Sequence, residues 1–171
     1  MTETEFMAIV PDGWLKRLCH AWLEMHMEMP LQFVVLTGMA VVGKLIGYRA
    51  WCQVAGVAYI YPNLNALLVS PAGLCRRSHG TKTIISIAEM AGVNVYRGKA
   101  TREGLLDELQ ECPNLLVYAD EIAEIVNRRE YQQSMTSFLP TVLLTEPKTL
   151  HERTRGGGKV TLDAPMLTCV F

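Results

Sequence analysis

Arg76, Arg77 and Ser78 follow an apolar run and a Ser-Pro-Ala-Gly turn in LLVSPAGLCRRSHGTKT, residues 67–83. Asp120 and Glu121 end a second apolar run, NLLVYADE. Cations and a hydroxyl after a turn, with two carboxylates elsewhere, are the parts of a phosphate and magnesium site. Such a site needs a strand, a turn exposing backbone N–H groups, a cation and a helix N-terminus whose dipole favours an anion. A carboxylate at a strand's C-terminal end can take magnesium directly or through water, and a second can orient or deprotonate an attacking water. Asp120 fits the first role and Glu121 the second. Both acids also suit the opening turn of a helix.

The first stretch has its parts in the right order but departs from G-x-x-x-x-G-K-S/T. Ser70 stands where the first glycine belongs, Cys75 or Arg76 where the second does, and Arg77 where lysine does. Ser78 comes one residue late. Arginine holds phosphate with a planar fork but is not interchangeable with lysine. This stretch alone fits a phosphate loop and an ordinary strand–turn–helix equally. GMAVVGKL, residues 38–45, matches the pattern more closely, but Leu45 replaces the hydroxyl and Met39, Ala40, Val41 and Val42 prefer burial. A third register, GTKT, sets Lys82 and Thr83 a turn into the helix, pointing away from the loop.

These residues need elements to hold them. Trp14, Leu15, Leu18, Ala21, Trp22 and Met25 recur at helical spacing within residues 11–30, opened by Pro11 and Asp12 and closed by Pro30. A second helix is expected over about 31–55. YPNLNALLVS predicts a buried strand centred on Leu64–Val69, and KTIISIAEMAG a helix ended by Gly92. VNVYRG is a short strand, and TREGLLDELQEC a helix capped by its threonine with Leu105, Leu106 and Leu109 on one face. NLLVYADE is a strand, residues 122–143 are mostly helical, ERTRGGGKVTLDAP is a loop or hairpin, and MLTCVF is the last strand. Alternation of strands and helices from residue 61 predicts an α/β domain with a largely parallel sheet. About 40 residues separate the two candidate elements, room for the crossover between parallel strands.

The composition frames this reading. The chain has 171 residues, half of them hydrophobic and 19% charged, enough for one domain with a real core. A net charge of −1 excludes a global basic footprint. Cys19, Cys52, Cys75, Cys112 and Cys169 are odd in number and widely spaced, which predicts reduced thiols in a cytoplasmic protein. The acidic MTETEFMAIVPDG lacks a basic n-region, so no signal peptide is expected there. MPLQFVVLTGMAVVGKLIGY is interrupted by Lys44 and carries Gln32 and Thr37, so it reads as a core helix rather than a membrane span. His20 and His26 lack ligand partners at metal spacing, and Met25, Met27 and Met29 read as core filler. PMLTCVF runs strand-like to the last residue, as expected for a piece of a longer protein.

The run YPNLNALLVSPAGLCRRS, followed by YRGKATREGLLDEL, LLVYADEIAEI and HERTRGGGKVTLDAPMLTCVF, resembles the RecA-like P-loop ATPase domain of phage and prophage primase–helicase-associated replication proteins. The resemblance covers roughly residues 10–171. It implies an N-terminal helical segment, residues 1–56, before a truncated P-loop NTPase core, residues 57–171. It makes Ser70, Pro71, Ala72, Gly73, Leu74, Cys75, Arg76, Arg77 and Ser78 the phosphate loop, with Arg77 at the lysine position. Ser78 and Asp120 would be the magnesium side, and Glu121 the catalytic residue of the Walker B pair. ATP and Mg2+ are the implied cofactors. Single-stranded or forked DNA and further copies of the chain are the implied partners, with no membrane. The alternative is a catalytically degenerate nucleotide-binding or structural module. A weaker one is a membrane-associated protein anchored by residues 31–48.

Two basic clusters complete the reading. They are Arg128-Arg129 and the Arg153, Arg155 and Lys159 group, candidates for nucleic-acid phosphates or for action in trans on a neighbour's nucleotide. Charge runs in loops are more often only solvated.

Overall fold

The computed structural model describes residues 2–25, 27–56, 58–71, 75–97, 102–120, 149–153 and 158–171. Helix α1 (Glu3–Ile9) opens with a capping box: Thr2 Oγ1 accepts from the Glu5 amide at 3.2 Å, and the Glu5 carboxylate accepts from the Thr2 amide at 2.7 Å. Helix α2 (Trp14–Glu24) buries Cys19 and Trp22, and the Trp22 indole donates to the Met29 carbonyl at 3.3 Å. Pro30 is the N-cap of α3 (Leu31–Ile46). That helix stops well before residue 55, at Gly47, whose φ of 54° favours glycine. A 3-10 turn (Gly47–Arg49) and strand β1 (Cys52–Val54) stand where the helix was expected to continue, and β1 forms an antiparallel hairpin with β2 (Ala58–Ile60).

The rest is α/β. Helix α4 (Arg77–Met90) leads to β3 (Val95–Arg97), α5 (Arg102–Glu111), β4 (Asn114–Tyr118), an antiparallel hairpin of β5 (Leu150–Arg153) and β6 (Lys159–Leu162), and β7 (Met166–Val170). The expected helix over 122–143 and the threonine cap at residue 101 lie outside the described residues. Strands β3, β4 and β7 are parallel in that order.

The expected strand over Leu64–Val69 forms only one bridge, Ala66 to Val170, parallel to β7. Backbone bonds run from the Ala66 amide to the Cys169 carbonyl (2.8 Å), from the Phe171 amide to the Ala66 carbonyl (3.0 Å) and from the Leu68 amide to the Phe171 carbonyl (2.7 Å). Side-chain amides hold the remainder. Asn65 Oδ1 accepts from the Cys169 amide at 2.8 Å, and Asn63 Nδ2 donates to the Leu167 carbonyl at 2.8 Å. Asparagine is poor in strands because its amide competes for backbone partners, and here it does so. The segment still extends the sheet, giving the order β3, β4, β7, residues 66–68.

Side-chain alternation covers both faces. Leu116, Tyr118 and Val170 face a cluster with Phe6, Trp22, Val34 and Ile85 from α1–α4. Leu115, Val117, Leu167 and Cys169 face Leu105, Leu106 and Leu109 of α5 and Leu162 of the hairpin. A parallel sheet buried on both sides reads as near-continuous apolar strands, as NLLVY and MLTCV do.

Residues Leu31–Arg49 are long and apolar enough to cross a membrane by length and composition. Half of the span is buried inside the protein, and core helices pass the same test.

Candidate functional site

All four parallel segments run in the same direction, so their C-terminal ends share one edge, where ligands bind in open α/β sheets. Leu68 ends the first segment, Arg97 ends β3 and Asp120 follows β4. Helix α4 begins at that edge. Its N-cap is Arg76, in left-handed backbone conformation (φ 34°, ψ 36°). An arginine there has no side-chain oxygen to cap the first amides, and no side-chain cap bond forms.

Arg77, the first residue of α4, reaches across the edge. Its Nη1 donates to the Leu68 carbonyl and its Nη2 to the Asp120 carbonyl, each at 2.6 Å. These carbonyls belong to segments separated by β7, so the guanidinium ties the ends of non-adjacent strands together. Three of its five N–H donors remain outside these two bonds.

Asp120 is the centre of the cluster. Its Oδ2 pairs with the Lys82 ammonium, and the Tyr118 hydroxyl donates to its Oδ1. The Ser78 hydroxyl is near enough to the same carboxylate to help lower its pKa. Burial alone raises the Asp120 pKa, but Lys82 and Tyr118, with a smaller contribution from Ser78, outweigh it and hold the carboxyl below its usual range. The Tyr118 hydroxyl is pushed well above its ordinary value, first by burial and then by its bond to Asp120. The Arg97 guanidinium lies 5.8 Å from the centroid of the Tyr118 ring and is held by Glu89 at 2.7 and 2.8 Å.

The structure thus brings Arg77, Ser78 and Asp120 together. Arg76 turns away and pairs with Glu28 at 2.7 Å on the surface. Ser70, Pro71 and Cys75 lie on the loop between the first segment and α4, while Ala72, Gly73 and Leu74 fall outside the described residues. Glu121, Arg128, Arg129 and Arg155 also lie outside them, as do His26 and the side chain of Arg153. Lys159 is exposed at the start of β6, on the hairpin that packs against α5. His20 is exposed on α2, and among the described residues no group of three or more His, Cys, Asp or Glu could hold a metal.

Two members of the cluster escaped the reading of the sequence. Lys82 was expected to point away; instead it pairs with Asp120. The signal was present, since Lys82 is four residues after Ser78 and shares its helix face, and helical side chains lean toward the N-terminus. Tyr118 stands two residues before Asp120, on the same side of an extended chain.

GMAVVGKL is a segment of α3. A Cβ on Gly43 would collide with the Pro62 carbonyl oxygen, so this glycine serves close packing. Lys44 is 6% exposed, its ammonium donates to the Asn114 carbonyl, and burial lowers its pKa to about 8. In return the Asn114 amide donates to the Lys44 carbonyl at 3.0 Å.

Ser78 and Asp120 supply hard oxygen donors of the kind magnesium takes when phosphate completes its shell, and the donor set fits that ion. Lys82 and Arg77 supply positive charge beside it. The chain matches no family model, no curated protein and no solved structure.

Proposed function

We propose that this chain is the ATP-binding core of a RecA-like P-loop NTPase, from a phage or mobile-element DNA replication protein of the cytoplasm. The observation that carries the reading is the meeting of Arg77, Ser78 and Asp120 at the C-terminal edge of a parallel sheet, beside the start of a 14-residue helix. The amides of the first turn of α4 and the free donors of Arg77 hold the phosphates. Ser78 and Asp120 hold Mg2+. When bound, Mg-ATP supplies the γ-phosphoryl group and the charge neutralisation for its transfer. Glu121 would orient the attacking water, and Arg153, Arg155 and Lys159 are the candidate contacts to DNA or to a neighbouring copy in a homo-oligomer.

One observation favours a second reading. Two Arg77 donors are already committed to carbonyls at 2.6 Å. In a module that has lost hydrolysis, this clamp would be the whole purpose of the arginine, and the chain would bind nucleotide weakly or serve as a structural subunit.

Fluorescence titration with an ATP analogue in Mg2+ decides. Wild type binds at micromolar concentration, Asp120→Ala and Arg77→Ala weaken binding about tenfold or more, and the remote Lys16→Ala leaves it unchanged. A folded wild type that binds nothing at millimolar nucleotide overturns the reading in favour of a structural module.

A further inference from the structure

Lys82 occupies the Asp120 oxygen that a divalent cation would need. Its ammonium pairs with Oδ2, while Oδ1 takes the Tyr118 hydroxyl. The lysine side chain is 51% exposed and the aspartate side chain 32% exposed, so this ion pair is a weak one, open to exchange. Arg76 pairs with Glu28, away from the Asp120 carboxylate, and two other cations of this edge are more firmly committed. Arg77 is fixed on two backbone carbonyls, and Arg97 is doubly bonded to Glu89. Lys82 is the cation that sits on the Asp120 carboxylate itself, and its flexible stem can move without breaking a backbone bond. A dication placed on Asp120 would also repel an ammonium left on the same carboxylate. In the proposed nucleotide site the phosphate would lie one helical turn toward the N-terminus of α4, within reach of the released ammonium.

We infer that Lys82 is a movable phosphate contact: its ammonium holds the Asp120 carboxylate in the free protein, leaves it when the divalent cation arrives, and takes the terminal phosphate of the nucleotide. This assignment rests on the proposed nucleotide site. It divides the cationic work between Arg77, a fixed clamp on the strand ends, and Lys82, the exchanging charge.

The test compares wild type with Lys82→Met, Lys82→Arg, Asp120→Asn and the double variant Lys82→Met/Asp120→Asn. Fluorescent ATP and AMP analogues are the probes, in Mg2+ and in EDTA, with circular dichroism confirming the fold. In Mg2+, Lys82→Met weakens the ATP analogue about tenfold and the AMP analogue less than about twofold, and Lys82→Arg restores most of the loss. In EDTA, Asp120→Asn binds the ATP analogue several-fold tighter than wild type because Lys82 is released, and the double variant loses that gain. A Lys82→Met protein that binds the ATP analogue as wild type does overturns the inference and leaves the nucleotide site standing. So does an EDTA gain that persists in the double variant, since it would come from relief of Asp120 repulsion alone. A wild type that binds neither analogue removes the nucleotide site itself, and the role of Lys82 with it.

Discussion

Two lysines, each preceded by glycine within six residues, meet opposite fates in this molecule. Lys44 sits in the better match to a phosphate-loop pattern, yet it is buried in α3 with its ammonium on the Asn114 carbonyl, at the N-terminal end of β4. Lys82 sits in a poor match, yet it stands half-exposed at the opposite, C-terminal edge, paired with Asp120. A motif places residues along the chain, whereas phosphate chemistry requires free N–H groups, open space and a helix beginning rather than passing through. Ala40, Val41 and Gly43 make the first stretch a packing surface. Ser70 and Pro71 precede the start of α4, so the second stretch runs into a helix beginning at the sheet edge.

The difference can be broken most severely at Gly43. A methyl group there meets backbone, the Pro62 carbonyl, with no flexible side chain to yield. Gly43→Ala should destabilise the fold by about 3 kcal/mol or more, read in urea unfolding. A loss below about 0.5 kcal/mol would mean that α3 is not seated against Pro62.

Next in size is Arg77. Removing its bonds to the Leu68 and Asp120 carbonyls should cost about 2 kcal/mol in Arg77→Ala. Arg77→Lys should recover less than half of it, since an ammonium lacks the fork that spans two strand ends. Equal stability of the lysine and arginine forms would refute the clamp.

The buried amine gives a pH test of similar size and opposite sign. The Lys44 pKa is lowered to about 8 by burial, so between about pH 8 and its usual 10.5 the unfolded chain holds a proton that the folded chain has released. The cost of burying the charge is therefore full below about pH 8 and shrinks as pH rises. Lys44→Met should exceed wild type in stability by roughly 2 kcal/mol at pH 7, with the gap narrowing by pH 9. Thermal melts of both proteins across that range would show it, and a pH-independent gap would contradict it.

The smallest effect belongs to Asp120. Its pKa is held below the usual carboxylate value, so its contribution is present above that value and lost as pH falls through the folded pKa. Asp120→Asn should flatten the acid limb of the stability profile by about 0.5 kcal/mol, modest because the Lys82 pair is near solvent. An unchanged acid limb would show that the ion pair is not formed in solution.

Much of the fold was legible, for stated reasons. NLLVY and MLTCV are continuous apolar runs, and they became the two buried parallel strands β4 and β7. The leucines at 105, 106 and 109 became the buried face of α5. The box from Thr2 to Glu5 was equally readable from its S/T-x-x-E spacing, though α1 was not anticipated. The end of α3 was harder, because Tyr48 and Trp51 continue an apolar pattern past Gly47. The turn is fixed by the close approach of Asn114 to Gly47 and by the bond from the Tyr48 hydroxyl to the Pro165 carbonyl at 2.8 Å. Residues 64–69 look like a full strand, but Asn63 and Asn65 replace ladder bonds with side-chain ones.

The sequence by itself determined the alternation of strands and helices, the apolar faces and the presence of Arg77, Ser78 and Asp120 at element ends, because these follow from local periodicity and capping chemistry. Tertiary structure alone decided which lysine is buried and which meets a carboxylate. It also decided that Arg77 joins Leu68 to Asp120, the latter 43 residues away from the arginine along the chain. Those outcomes depend on strand order and on desolvation, and neither is a property of any short stretch of residues.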